Sequence, residues 1–175
     1  MKKLSLAIVS ALALIASPAF AETSVGVVNI AKIMKDAKAA ISVREQLQAK
    51  QKSFQSELDG KEKELLAEDQ SLVKEKDKEK DKAAFDKKVK DFREKAAVAQ
   101  RQVQEKKAQL DKAFSGALDE IQQAVIGIVK EVSDEKKLGL VISSAQVLYN
   151  DPTIDISDEV LKRLDAKLPK VTVKF

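Results

Sequence analysis

From residue 40 to residue 137 the sequence contains no proline, and its apolar residues recur at heptad spacing. In the first part Leu47, Phe54, Leu58, Leu65 and Leu72 lie 7, 4, 7 and 7 residues apart. In the second, Phe85, Val89, Phe92, Ala96, Ala99 and Val103 step by 4, 3, 4, 3 and 4. After a break at Lys106 the series resumes with Leu110, Phe114, Ala117, Ile121, Ala124 and Ile128. A 4/3 alternation of this kind is the seam of a coiled coil. Between the two parts, residues 74–82 (KEKDKEKDK) are nine charged residues in a row, and no apolar seam passes through them. Two geometries fit: one long helix with a solvated middle, or an antiparallel hairpin folding back near Asp77. The hairpin is favoured, because it buries both stripes in one molecule by bringing Leu72 to Phe85 and Leu65 to Phe92. Unfolded into a rod, even one arm of about 40 residues would reach ~60 Å.

Composition removes most chemistry. Among 175 residues there is no His and no Cys, so no Ser-His-Asp or Cys-His triad, disulfide, or thiolate or imidazole metal site can form. The Ser71-x-x-Lys74 spacing lies on a charged arm without the partner motifs of Ser-x-x-Lys hydrolases. Asp77, Glu79 and Asp81 lack the glycine and distal Glu of a calcium loop. No enzyme activity, cofactor or metal is expected. Nucleic-acid binding is not expected either, since 32 Lys and Arg are interleaved with 28 Asp and Glu.

The first 21 residues, MKKLSLAIVSALALIASPAFA, combine a Lys2-Lys3 start, a short apolar core and an Ala19-Phe20-Ala21 end. That is a secretory signal peptide, with cleavage expected after Ala21. The core is shorter than the ~20 residues that span a bilayer, and no later stretch qualifies, so the mature chain is not expected to be transmembrane. An Ala-rich core behind two lysines suits bacterial export, and the periplasm is the expected location.

The segments flanking the arms have a different period. Residues 25–30 (VGVVNI) read as a buried strand, followed by a short helical stretch over 31–40. Residues 138–143 (LGLVIS) and 147–149 read as two short strands, Asn150-Asp151-Pro152 as a turn, and Ser157 as the N-cap of a helix that Pro169 ends. The last six residues, KVTVKF, alternate like a strand. Strands from the two ends of the chain must share a sheet to bury their apolar faces. The fold class is therefore mainly α with a small β body, into which a long antiparallel helical hairpin is inserted. Residues 22–40 plus 133–175 form the body, and residues 41–132 the hairpin, with its tip near 74–82. The body is marginal for independent folding, and residues 121–132, the most apolar part of the arms, point to self-association. Val25, Val27, Val28, Ile30, Leu140, Val141, Ile142, Val147 and Tyr149 are the candidate oligomerisation residues. Gly60 reads as a flexible joint or a tolerated surface glycine, and Gly116 and Gly127 as points of close helix approach.

The signal peptide, the GVVNIAKIM start, the charged hairpin and the ending LGLVISSAQVLYN…DISDEVLKRLDAK together resemble the Skp/OmpH family of periplasmic outer-membrane-protein chaperones. The resemblance is most specific at residues 138–149 and at Asp155-Ile156-Ser157, and the tail after Pro169 extends beyond it. It implies a homotrimer whose β-rich body carries three helical tentacles around a cavity. There, unfolded outer-membrane proteins are held without ATP and kept from aggregating.

Such a holdase needs many weak apolar contacts on exposed arms. The candidate client-binding residues are the seam positions Leu65, Leu72, Phe85, Val89 and Phe92, with the cations Lys87, Lys88, Lys90 and Arg93. Residues 74–107 hold 13 basic and 8 acidic side chains, net +5. A cavity rimmed by this segment would steer acidic clients and make weak contact with anionic lipid or lipopolysaccharide. The alternative function is a structural periplasmic coiled-coil spacer or adaptor of the cell envelope. A charged run is as often only a solvated helix face, and the phenylalanines serve as seam packing before they serve a client.

Overall fold

The computed structural model describes residues 24–76 and 81–175, so the signal peptide and the middle of the expected tip lie outside the described residues. Strand β1 (Ser24–Val28) leads into helix α1 (Ile30–Asp36), and the two arms are α2 (Lys38–Glu75) and α3 (Lys82–Lys136). Strand β2 (Leu138–Ser143) and two single 3₁₀ turns (Ser144–Gln146 and Pro152–Ile154) then lead to helix α4 (Ser157–Lys167). The mainly helical fold with its small sheet and long antiparallel hairpin is as expected.

β1 and β2 pair in parallel, Val25 against Leu140 and Val28 against Ser143. The whole hairpin is thus the crossover that a parallel pair requires. On the other side of β1, the Val27 carbonyl accepts from Ile156 N at 2.9 Å. Ser157 does not cap α4. Ile156 occupies that position, the Asp155 carboxylate accepts from Ser157 N at 2.8 Å, and the buried Ser157 hydroxyl accepts from Asn29 N at 2.7 Å. Asn29 in turn caps α1 by accepting from Lys32 N, and Lys32 pairs with Asp158. The Asp-Ile-Ser motif therefore ties the two ends of the chain together.

The expected helix over 31–40 is interrupted. Ala37, fully buried, takes an extended conformation that ends α1 and starts α2 at Lys38. The Asp165 carboxylate of α4 accepts from the Lys38 backbone N–H at 2.8 Å, supplying from another element the cap that Ala37 cannot. Around this joint Ile33, Val43, Ile121, Val125, Ile128, Val132, Val160 and Leu164 form one core. The buried α3 positions step by 4, 3 and 4, so the apolar root of the second arm is the centre of the core.

Three further expectations are corrected. Residues 147–149 form no strand among the described residues; Leu148 is fully exposed and Tyr149 is 82% exposed. Gly116 and Gly127 are exposed with open space where a side chain would sit, so neither marks close helix approach. The crowded glycine is Gly26, where a Cβ would stand 2.7 Å from the Leu138 side chain.

The tail is extended but joins no sheet. Val171 and Val173 are buried in the core, and Gln46 of α2 reads the backbone between them. Ordering five residues costs about 1–2 kcal/mol each. Two buried valines at about 1.5–3 kcal/mol each and two hydrogen bonds at about 1 kcal/mol each offset this to within a few kcal/mol.

The hairpin register also differs from expectation. Glu75 pairs with Lys88, Glu68 with Lys95 and Glu57 with Lys106 at 2.7–2.8 Å. Moving 7 and then 11 residues down α2 matches equal steps up α3, two and three helical turns respectively. These pairs set the register of the two arms; the reversal itself lies between the end of α2 at Glu75 and the start of α3 at Lys82, and residues 77–80 within it are outside the described residues. Leu65 accordingly lies across from Val98, six residues beyond Phe92. The cause is local: Asp81 accepts from Ala83 N and Ala84 N and so starts α3 late, while α2 runs on to Glu75.

Two predictions follow directly from this geometry. Cysteines replacing Glu68 and Lys95 will be joined by a short bifunctional reagent within one subunit, whereas cysteines at Leu65 and Phe92, about 9 Å out of register, will react much less; the reverse preference would refute the register. Lys137, at φ 56°, ends α3 in the left-handed region that glycine favours. Lys137→Gly will therefore stabilise the fold by about 0.5–1 kcal/mol in urea unfolding, and an unchanged midpoint would contradict that reading.

Candidate functional site

Beyond the root, the hairpin buries very little. Phe54 is the one fully buried seam residue beyond Val43 on α2, and α3 has none between Lys82 and Lys112 among the described residues. Leu65, Leu72, Phe85, Val89 and Phe92 are all half-buried. They line up along the contact between the arms, each with one flank open to solvent. Two helices cannot cover a seam from both sides, so this exposure follows from the strand count of the bundle.

The openings are grooves of defined composition. A distal one of about 600 Å³ has Leu65, Val98 and Ala99 as its apolar floor and Glu64, Glu68, Lys88, Asp91 and Lys95 among its walls. A second, of about 490 Å³, lies nearer the root and is more apolar, with Leu47, Phe54, Leu58, Val103, Leu110 and Phe114. Val98, Val103 and Phe114 are each more than 40% exposed. These three were not singled out as binding positions from sequence. Val103 and Phe114 already belong to the heptad series, and Val98 is the seam's neighbour beside Ala99; what marks them is their exposure along the open flank.

Part of the distal positive charge is taken up in ion pairs within and between the arms. Lys88 is tied to Glu75, and Lys90 lies 3.9 Å from Glu94 on the same helix. Lys87 and Arg93 are exposed. The hydrogen bond from Lys88 holds the Glu75 carboxyl below its ordinary range, and that from Lys106 does the same for Glu57. The Glu68 carboxylate raises Lys95. A depressed carboxylate adds stability above its unfolded pKa and loses it as pH falls, so these links weaken in acid. All are solvent-exposed, and salt screens them.

Lys106, which breaks the heptad series, has a structural role. Its ammonium lies 4.1 Å from the Phe54 ring centre while bonding Glu57, and Lys50 covers the same ring at 4.8 Å. A lysine is accepted in the seam because an aromatic face and a carboxylate oppose it there.

At the body, Val27 and Val28 are buried, Val25, Ile30, Val141, Ile142 and Val147 are half-buried, and Leu140 and Tyr149 are exposed. Leu140, Leu148 and Tyr149 form an apolar margin beside a sheet of only two strands. Among the described residues no group of acidic, His or Cys side chains is arranged to hold a metal ion, and no helix is long and apolar enough to cross a membrane.

Known proteins share this architecture. In a crystal structure of an OmpH-like protein from Caulobacter crescentus CB15, described as a candidate outer membrane chaperone, the fold is the same. The TM-score is 0.81 over 86% of this chain and 89% of that one, at 20% identity. A protein of Aquifex aeolicus (strain VF5), named only as uncharacterized, is 30% identical over 142 residues, 79% of this chain and 83% of its own. The family model described as outer membrane protein (OmpH-like) matches residues 24–164, which takes in β1, both arms and most of α4 but not the tail. The chain belongs to the OmpH-like outer membrane protein family.

Proposed function

We propose that the protein is an ATP-independent holdase of the periplasm, which captures unfolded outer-membrane proteins between helical tentacles and prevents their aggregation. The observation that carries this reading is the seam itself: an apolar stripe half-open along two grooves and bounded by charged arms. Unfolded barrel chains present short apolar stretches at many points. A long, shallow stripe binds such chains through many weak contacts, each easily released, where a closed pocket would select one ligand. The walls of paired Lys and Glu keep the arms themselves soluble.

The proposal includes a homotrimer. A two-stranded sheet is marginal alone, and the exposed Leu140, Leu148 and Tyr149 beside it supply apolar area that other copies would cover. In the proposed trimer, residues 22–40 and 133–175 form the shared base, residues 41–132 form the tentacles, and Leu65, Leu72, Phe85, Val89 and Phe92 face a common cavity. With Lys88 tied to Glu75, charge steering rests more on Lys87 and Arg93, and contact with anionic lipid is correspondingly weak.

The experiment is to dilute a denatured outer-membrane barrel protein from urea into the mature chain. The barrel stays soluble at one trimer per client, and the complex sediments with three chaperone subunits. If the barrel aggregates as it does alone, the holdase reading fails and a spacer or adaptor role takes its place.

A further inference from the structure

The tail after α4 lies outside the family match, yet it occupies a built site on α2. Gln46 Nε2 donates to the Val171 carbonyl at 2.7 Å, and Gln46 Oε1 accepts from Val173 N at 3.1 Å. These two backbone groups flank Thr172 and point the same way only in an extended chain. One side-chain amide thus satisfies both, as a neighbouring strand would. The amide is itself held in place, because Nε2 also donates to the Ser42 carbonyl and hydroxyl at 3.1 and 3.0 Å. Recognition through the backbone selects conformation, not sequence.

Sequence enters through the side chains. Val171 and Val173 point inward and are buried, while Thr172 and Lys174 face solvent. The Phe175 ring ends the segment with Lys50 at 5.3 Å from its centre, and the same ammonium lies over Phe54. Phe54 is also a wall of the root-side groove. The tail's last ring is therefore linked through one lysine to the open seam.

We propose that the α2 face around Gln46 and Lys50 is a strand-reading site for an extended polypeptide with apolar side chains at alternate positions, the third of them aromatic, and that residues 171–175 are its tethered occupant. This rests on the chaperone reading and names the element of a client that the site takes: a β-strand segment, such as a barrel protein supplies. The tail's own sequence is the model for the ligand. An incoming strand of the same pattern would compete for the same Gln46 amide and the same two valine positions, and so can replace the tail. The tail then acts as a lid that covers the site when no client is present.

The test uses the full mature chain and a labelled KVTVKF peptide, followed by fluorescence anisotropy. Saturable binding is expected, at least tenfold weaker for a peptide of the same composition with its valines adjacent. Phe175→Ala removes only the tail's more exposed contact and should tighten peptide binding roughly three- to tenfold by freeing the site. Gln46→Leu frees the tail as well but should abolish peptide binding, because the reader is gone. If Gln46→Leu loses its helical circular dichroism, Gln46→Glu, which cannot donate to the first carbonyl, takes its place. A tail that is only structural would give no peptide binding to either the parent or Phe175→Ala, and that result overturns the proposal. Barrel solubility is measured on the same samples. A soluble barrel without peptide binding overturns this proposal alone, whereas peptide binding with an aggregated barrel overturns the holdase reading and leaves the strand site standing.

Discussion

A pair of helices cannot enclose its own seam, and the outer part of the hairpin is shaped by that limit. At the root the limit is lifted. β1, α1, α4 and the tail close around Ile121, Val125, Ile128 and Val132, and these residues are buried. Further out no third element packs on the arms among the described residues, and Leu65, Leu72, Phe85 and Phe92 keep an open flank. What prevents the arms from sliding is not apolar packing but three ion pairs at matched steps, with Phe54 clasped between Lys50 and Lys106. Exposed pairs of this type add little stability each. Their effect is on register, since a shift of one turn in either direction leaves all three glutamates without a lysine across from them.

The root has a different logic. Its contacts join residues more than a hundred positions apart: Asn29 with Ser157, Lys38 with Asp165, Gln46 with Val171. Each closes a loop of more than a hundred residues, so the body depends on contacts of high sequence separation. The Arg163 guanidinium, bonded to Glu135 of α3 and Glu159 of its own helix, fastens α4 along the second arm. Lys167 repeats the link one turn later through Glu131. A rigid root under loosely packed arms is the mechanical arrangement a cage of bending tentacles would need.

Much of this is legible in the residues. The 4/3 spacing from Phe85 to Val103 declares the seam, and the two valine-rich ends declare strands that must meet. The register was not legible from apolar spacing, because heptads match at any shift of seven; Asp81 before Lys82-Ala83-Ala84 was the available signal, hidden inside a run read only as charge. Ser157 has the chemistry of an N-cap, but Asn29 claims its hydroxyl from 128 residues away, a competition invisible to local reading. Residues 147–149 have strand composition without a partner in this chain, and pairing is what makes a strand. The tail does alternate as a strand, but its partner is a side chain, for which no periodicity exists. As for the candidate site, the seam leucines and phenylalanines, with Val103, lie where heptad logic puts them, whereas Val98 emerges only from the structure.

The central claim is that the open flank of the seam is the surface that unfolded chains occupy. Hydroxyl-radical footprinting of the mature protein, with and without a bound unfolded barrel protein, tests it most directly. The account predicts reduced modification at Leu65, Phe85, Val98 and Phe114, with the outward-facing Leu66 and Val73 unchanged. Protection confined to the outward faces, or none along the arms while the client stays bound, would contradict it.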